Sequence, residues 1–175
     1  MMTLDEIKDA KISLPICREA YEQAAIRLAD ILDTKKGFEQ KAYTLFTGYI
    51  TLTLALVGAA GAVYTSSSLK VLAVAFGLSG AAFAIGAICF VISLLANKYG
   101  AAGSDPAMWL VKGPIGGGDS ELARMLAYIT FHHQNRINRS IEANESKARW
   151  IKAGIILGAA APFVLALVLV ISAVC

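Results

Sequence analysis

Charged residues are missing from three long stretches of this sequence. Residues 43–64, 71–96 and 153–175 contain no Asp, Glu, Lys, Arg or His. Each stretch exceeds the roughly 20 residues that a helix, rising about 1.5 Å per residue, needs to cross a hydrocarbon core of about 30 Å. Because none of them contains any of these five side chains, the sequence disfavours a proton relay, a row of gating charges and an ion-coupled transport site.

Residues suited to catalysis or metal binding are also scarce. The three cysteines, Cys17, Cys89 and Cys175, are odd in number and share no metal-ligand spacing, so we expect unpaired thiols that pack as small hydrophobes. The sequence contains no nucleophile elbow, no paired carboxylates framed by apolar residues, no metal-ligand cluster and no dinucleotide fingerprint. We therefore predict a protein that is not an enzyme and that has no metal or cofactor.

Hydrophobic residues, by contrast, are abundant. They make up 57% of the chain against 17% charged residues, and the mean hydropathy of +0.60 is unusual for a soluble domain. The first apolar stretch follows a charged segment, which argues against a cleavable signal peptide. We predict an all-α integral membrane protein with three transmembrane helices and long cytoplasmic helical extensions. Its parts are cytoplasmic N-terminal helices (1–42), a transmembrane hairpin (43–97), a cytoplasmic loop and amphipathic helix (98–150), and a third transmembrane helix (151–175).

The positions of Lys and Arg predict the orientation of these spans. Every Lys and Arg except Lys70 lies within residues 1–42 or 97–152. By the positive-inside rule these two regions face the cytoplasm, whereas the Ser-rich turn at 65–68 and residue 175 lie outside. We expect a multi-pass protein of the inner membrane, with its N-terminus cytoplasmic and its C-terminus outside. The net charge of +3 then mainly reflects the orientation of the spans, and attraction to anionic lipid is a secondary effect. No nucleic-acid partner is predicted.

The charged segments have the pattern of helices that continue into the membrane. A capping box that begins at Thr3 starts a first helix, which Pro15 ends or kinks. A longer helix then runs from Cys17 into the first span, and only Gly37 weakens it. Another helix begins near Ser120 and continues into the third span, because neither Pro nor Gly interrupts it before the membrane.

Two polar residues interrupt the apolar seam of this last cytoplasmic helix. The seam includes Ile129 and Ile137, and His133 and Asn144 lie on the same face. Buried polar groups in such seams fix the register of packed helices or the oligomeric state. Both residues are therefore candidates for stalk specificity, where the stalk is the set of cytoplasmic helices and specificity is the choice of how they pair. A pH switch at His133 is the alternative interpretation. A metal site at His132 and His133 is disfavoured because adjacent side chains on a helix diverge.

Small residues recur at helical spacing in all three spans. Such residues let helix backbones approach closely, while a proline kinks a membrane helix and frees a backbone carbonyl. The helix-packing candidates on this basis are Gly58, Gly77, Gly86, Gly154, Gly158 and Pro162. We expect these faces to join the spans to one another and to further copies of the chain, giving a homo-oligomer. A row of threonines in the first span is alternatively a pore lining: Thr44, Thr47 and Thr51.

Two short segments carry a resemblance to a known family. Residues 31–35, Ile-Leu-Asp-Thr-Lys, precede the apolar hairpin, and residues 144–147, Asn-Glu-Ser-Lys, lie at the inner end of the final span. This layout resembles the small transmembrane effectors of prokaryotic anti-phage systems, the Pycsar-type family and its relatives. The resemblance implies an effector that perturbs or permeabilises the lipid bilayer when triggered by a cyclic nucleotide or a nucleotide-cyclase-linked partner. No motif in the sequence identifies the residues that bind such a ligand.

Two other functions compete with the membrane effector. A non-conducting membrane scaffold would bind a soluble partner through its cytoplasmic helices and would co-purify with that partner. A small transporter would need a polar site near the bilayer midplane, which three charge-free spans do not provide. The sequence therefore favours the effector, with the scaffold as the alternative.

Overall fold

The computed structural model describes residues 13–66, 70–95 and 118–174 of the 175-residue chain. Within these ranges the secondary structure consists of three α-helices and no strand: α1 (Leu14–Ser66), α2 (Lys70–Leu94) and α3 (Asp119–Val174). All three helices are long and apolar enough to cross a membrane. The all-α class and the three candidate spans are therefore confirmed.

Helix α1 is a single element of 53 residues. It begins before the predicted Cys17, because Pro15 lies in its first turn, where a missing N–H needs no partner and the fixed φ suits a helix. The Cys17 amide donates a hydrogen bond to the Ser13 carbonyl at 3.1 Å. Gly37 does not interrupt the helix, as predicted. The predicted capping box at Thr3 lies outside the described residues.

Helix α3 is continuous over 56 residues and begins one residue before the predicted Ser120. The Gly118 carbonyl accepts hydrogen bonds from the amides of Glu121 (3.0 Å) and Leu122 (3.3 Å), which closes the first turn. Asp119 and Glu121 lie in that turn and complement the positive end of the helix. The long helix that the sequence predicts is therefore present from its cap onward.

Two compact units divide the described residues. Of the described residues, unit 1 holds 13–36, with the first part of α1, and 118–144, with the first part of α3. Unit 2 holds residues 37–66 of α1, the whole of α2, and residues 145–174 of α3. Both long helices therefore contribute to both units.

Unit 1 packs one face of α1 against one face of α3. Its core is a cluster of Cys17, Ala123 and Leu126, flanked by Leu14, Tyr21, Leu122 and Ala127. Further along the two helices, Leu28, Ile129 and Ile137 are also completely buried. The apolar seam predicted for α3 therefore packs on α1 of the same chain.

Unit 2 packs its three helices through small residues. The buried positions of α2 are mostly small: Ala73, Ala75, Ser79, Gly80, Gly86, Ala87, Cys89, Phe90 and Ser93. Large apolar side chains are exposed instead, such as Leu54 (68%), Ile88 (57%) and Phe163 (74%). Small buried residues combined with large exposed apolar ones are typical of helices that pack within lipid rather than water.

Candidate functional site

The helices of unit 2 approach closely where Gly86 of α2 meets Gly154 of α3. A Cβ built on Gly154 would lie 2.5 Å from Phe90 Cε1 and 3.0 Å from the Gly86 carbonyl oxygen. A Cβ built on Gly86 would lie 2.7 Å from Tyr49 Cε1 and 3.2 Å from the Gly154 carbonyl oxygen. Any larger residue at either position would therefore force a neighbour to move. The two glycines allow one helix backbone to lie against the other, as close-approach motifs do.

Gly158, one turn further along α3, makes room for the Tyr49 side chain of α1. A Cβ there would overlap the Tyr49 hydroxyl and ring. The Tyr49 ring also packs edge-on against Phe83 (centroids 5.1 Å apart, 90° between planes) and Phe90 (4.9 Å, 76°), a favourable aromatic geometry. Tyr49 therefore contacts both other helices of unit 2. The sequence does not predict this role, because an amphipathic ring at this position also suits the membrane interface.

Gly58 and Gly77 have open space around them within the described part of the chain. A Cβ at either position would meet no atom within 4 Å there. Gly80 makes a close approach instead, since a Cβ on it would lie 3.3 Å from Val57 Cγ2. The Thr53 hydroxyl of α1 also lies 3.5 Å from the Gly80 carbonyl oxygen. The sequence did not distinguish the α2 face that carries Gly77 from the one that carries Gly80, because small residues recur along both faces.

Pro162 is exposed on α3, and the helix continues past it to Val174. Because proline has no N–H, the carbonyl four residues earlier loses its helical donor. Next to the proline, the buried Ser79 hydroxyl of α2 donates a hydrogen bond to the Ala161 carbonyl at 3.2 Å. Ser79 therefore provides a polar link between α2 and α3, at a position where the sequence indicated only small-residue packing.

The two seam residues of unit 1 both contact α1. The His133 side chain is 1% exposed, and its ring stacks on Tyr21 with the centroids 5.5 Å apart and 26° between the planes. The Asn144 amide nitrogen donates a hydrogen bond to the Ile31 carbonyl at 3.1 Å. The structure therefore places both predicted stalk residues between α1 and α3 of one chain, where polar contacts favour a single register.

A part-buried ion pair in unit 2 was not predicted. The Lys147 ammonium lies 2.7 Å from the Glu39 carboxylate, and Lys147 is only 2% exposed. In the sequence, Lys147 contributes to the predicted orientation and to the resemblance at residues 144–147, but neither signal predicts its burial. The signal was nevertheless present, because Lys147 follows Asn144 by three residues and precedes the buried Ile151 by four. That spacing continues the buried seam of α3, so a charge there requires a partner.

Two surface clefts lie beside α3 in unit 2. The larger, of about 530 Å³, is lined by Gly37, Gln40, Lys41, Thr44, Leu45, Ile151 and Ile155. The smaller, of about 390 Å³, is lined by Ser146, Arg149, Trp150 and Ala153. The described residues include no group of three His, Cys, Asp or Glu side chains that could hold a metal ion. Basic and apolar side chains together suit the clefts to an amphiphilic ligand.

The described cysteines are free, buried thiols. Cys17 belongs to the unit 1 cluster and is 4% exposed, and Cys89 on α2 is 7% exposed. Burial raises the pKa of the Cys17 thiol above its ordinary value of 9.0, which keeps it protonated and unreactive at neutral pH. Both residues pack as small core side chains, as predicted, and Cys175 lies outside the described residues.

Comparisons with known proteins find no match for this chain. No protein-family model, curated protein or solved structure matches it. Nothing in these comparisons identifies an anti-phage effector family, so the resemblance to Pycsar-type effectors stays a prediction.

Proposed function

We propose that this chain is a multi-pass protein of the inner membrane that forms a homo-oligomer and permeabilises or perturbs the membrane in anti-phage defence. Its trigger is a cyclic nucleotide or a nucleotide-cyclase-linked partner. The observation that carries the proposal is one exposed face of α1, on which every residue is small or hydroxylated. This α1 small face consists of Thr44, Thr47, Gly48, Thr51, Ala55, Gly58 and Ala62.

Membrane insertion is supported by the surface of unit 2. Its outward side chains are large and apolar, and burying them in lipid removes roughly 25 cal/mol of unfavourable hydration per Å². The distribution of Lys and Arg orients the spans, with unit 1 in the cytoplasm and residue 175 outside. A water-soluble protein would leave this apolar surface exposed to solvent.

Association through the α1 small face is supported by its chemistry. The hydroxyls of Thr44, Thr47 and Thr51 donate back to carbonyls four residues earlier, at 3.0, 3.1 and 2.9 Å. Because these donors are satisfied within the helix, the face can be buried without an unpaired N–H or O–H group. In lipid, close packing of small residues drives helix association, so a second copy of this face is the favoured partner.

Permeabilisation follows from the position of the three threonines. When three or more copies pack around a common axis through the edges of the α1 small face, the threonines face that axis. Each hydroxyl oxygen keeps a lone pair that accepts a hydrogen bond from water. The α1 small face can therefore permeabilise the membrane by forming a water-filled pore that is lined by α1 helices.

Dye entry into cells that express the protein tests the proposal. Cells are challenged with phage or supplied with cyclic nucleotide, and membrane potential is followed in parallel. Gly58→Leu should abolish dye entry and the oligomer mass in detergent, because the new side chain holds the α1 small faces apart. Gly61→Leu is the matched control, since Gly61 also has open space around it but lies beside this face. A membrane that stays intact under every trigger would contradict the proposal.

A non-conducting scaffold is the second candidate, and one observation in unit 1 favours it. Ile16 is 69% exposed and Ile26 is 56% exposed, whereas most other exposed residues of α1 in unit 1 are polar or charged. Exposed apolar side chains on a cytoplasmic helix suit a protein partner. In that case a soluble protein should co-purify at fixed stoichiometry, Ile16→Ser with Ile26→Ser should release it, and no dye should enter.

A further inference from the structure

We infer that the larger cleft of unit 2 binds one glycerophospholipid with an anionic headgroup at the cytoplasmic surface of the membrane. The cleft lies between α1 and α3, and its lining combines polar α1 residues with apolar residues of both helices. Its volume of about 530 Å³ falls within the range of about 300–1,000 Å³ that is typical of small-ligand sites. The inference rests on the membrane insertion proposed above, but not on permeabilisation.

The polar part of the cleft suits a phosphate group. Lys41 is exposed and makes no ion pair with any residue that the structure describes, so its ammonium group is available to a ligand. Gln40 precedes it and offers amide N–H donors. The Thr44 hydroxyl donates to the Gln40 backbone carbonyl at 3.0 Å and presents only lone pairs to the cleft. The charge and the donors for an anion therefore come from Lys41 and Gln40.

The backbone of α1 is open to the headgroup at Gly37. This residue has no side chain, and a Cβ built on it would meet no described atom within 4 Å. A bulky headgroup can therefore approach the helix one turn before Lys41. The same cleft would be narrower with any larger residue at this position.

The apolar part of the cleft suits an acyl chain. Leu45 lies four residues, or about 6 Å along the helix axis, beyond Lys41 in the direction of the span. Ile151 and Ile155 line the cleft from α3, and Ile155 is 45% exposed. A ligand that bridges the two parts must carry an anion at one end and hydrocarbon at the other, which favours a lipid over a soluble phosphate.

The level of the cleft along the chain agrees with a position at the membrane surface. Trp150 precedes Ile151 directly, is 40% exposed, and has the amphipathic ring that favours the membrane interface. Lys152 follows Ile151 and is also exposed. Basic residues at this level attract the anionic lipids of the cytoplasmic leaflet.

Native mass spectrometry of the purified full chain in detergent tests the inference. The protein is titrated with phosphatidylglycerol or with phosphatidylcholine, and bound lipid is counted. Wild-type protein should bind one phosphatidylglycerol about fivefold more tightly than phosphatidylcholine, as expected for one basic group at an anionic headgroup. Lys41→Gln should abolish this preference. Lys36→Gln, which removes an equal charge from an exposed position outside the cleft, should retain it.

A second variant fills the apolar part of the cleft without changing charge. Ile155→Trp should lower the binding of both lipids, and an unchanged melting temperature establishes that the protein is folded. Inorganic phosphate is added as a competitor to distinguish a lipid site from a free-anion site. Displacement of phosphatidylglycerol by phosphate would overturn the inference. An equal loss of the phosphatidylglycerol preference in Lys41→Gln and Lys36→Gln would also overturn it.

The possible failures are distinguishable. Recovery of the chain in the aqueous fraction after cell breakage would contradict membrane insertion and therefore also the lipid site. Equal binding of the two lipids by a membrane-inserted wild-type chain would contradict the lipid site but not membrane insertion. Thr44 belongs both to the cleft and to the α1 small face, but Lys41 belongs only to the cleft, so dye entry in the Lys41→Gln variant is a separate measurement.

Discussion

Lys147 of α3 donates a hydrogen bond to Glu39 of α1 across 2.7 Å within unit 2. The lysine is 2% exposed and the glutamate 37% exposed, so the lysine has lost far more of its contact with water. A buried ammonium group is strongly destabilising unless a carboxylate or several acceptors surround it. The pair therefore fixes α1 and α3 relative to each other at the position where the charged part of the sequence gives way to the apolar spans.

Replacing Glu39 by Gln should lower the stability of the detergent-solubilised protein by about 1–3 kcal/mol, because the Lys147 ammonium keeps a neutral acceptor at this position but loses the negative charge of Glu39. Lys147→Met should destabilise the protein less, since it removes the buried charge as well. Thermal melts followed by circular dichroism measure both effects. Glu142→Gln, at an exposed position of α3, is the control. Equal melting temperatures for Glu39→Gln and this control would show that the ion pair does not stabilise the fold.

Replacing Gly158 by Ala should destabilise the protein by about 1–3 kcal/mol, because the new methyl group overlaps Tyr49. Gly77→Ala is the matched control: the position has open space, and Ala is favoured over Gly in a helix by about 1 kcal/mol. Tyr49→Phe should restore part of the loss in the Gly158→Ala background, since it removes the hydroxyl. A Gly158→Ala protein as stable as Gly77→Ala would rule out the close approach.

Replacing His133 and Asn144 together by Leu should raise the melting temperature of the protein and loosen the register of α1 against α3. The melting temperature rises because two buried polar side chains are exchanged for apolar ones. The Ile31 carbonyl that Asn144 contacts lies within a helix and keeps its backbone donor. The register loosens because leucines pack in more than one alignment, whereas the hydrogen bond and the Tyr21 stack favour a single one.

Electron–electron distance measurements detect the change in register. Spin labels at the exposed positions Arg27 and Arg139, in a cysteine-free background, should give one narrow distance in the parent protein. The distribution should broaden in the His133→Leu, Asn144→Leu double variant. Asn135→Leu, at an exposed position of α3, should leave it narrow. A narrow distribution in the double variant would argue against a role of the two residues in register.

Burial of the Cys17 thiol should make stability depend on alkaline pH. Its pKa is raised in the folded protein above the ordinary value of 9.0, so the unfolded chain ionises first as pH increases. The contribution of the neutral thiol is therefore complete below pH 9.0 and is lost as pH rises through the folded pKa. Cys17→Val should show a smaller fall in melting temperature above pH 9.0 than the parent protein. Parallel curves for the two proteins would contradict this coupling.

The three candidate spans and the two long helices could be predicted because their signals lie along the chain. Absence of charge over a membrane-length stretch is a local signal, and so is a polar stretch of helical pattern that only Gly37 weakens after Pro15 in α1 and that neither Pro nor Gly interrupts in α3. The start of α1 was harder to predict, because Pro15 can close one helix or occupy the first turn of the next. Only the structure shows that it occupies the first turn of α1.

The contacts of the candidate site were less predictable because they depend on which helix faces meet. Gly86 and Gly154 lie opposite each other, whereas Gly58 and Gly77, chosen by the same spacing rule, have open space within the described chain. Tyr49 was missed because an amphipathic ring suits both a membrane interface and a helix crossing. The spacing of small residues along the sequence identifies a helix face that allows close packing. It does not identify which other helix packs against that face.

Labelling of single cysteines with a membrane-impermeant maleimide tests the central claim, three crossings of the membrane, most directly. In spheroplasts of cells whose protein has Cys17 and Cys89 replaced by Ala, native Cys175 should react at once. In the same background with Cys175 also replaced, Lys36→Cys should react only after the membrane is permeabilised. Labelling of both positions from the same side, or recovery of the protein in the aqueous fraction, would contradict the account.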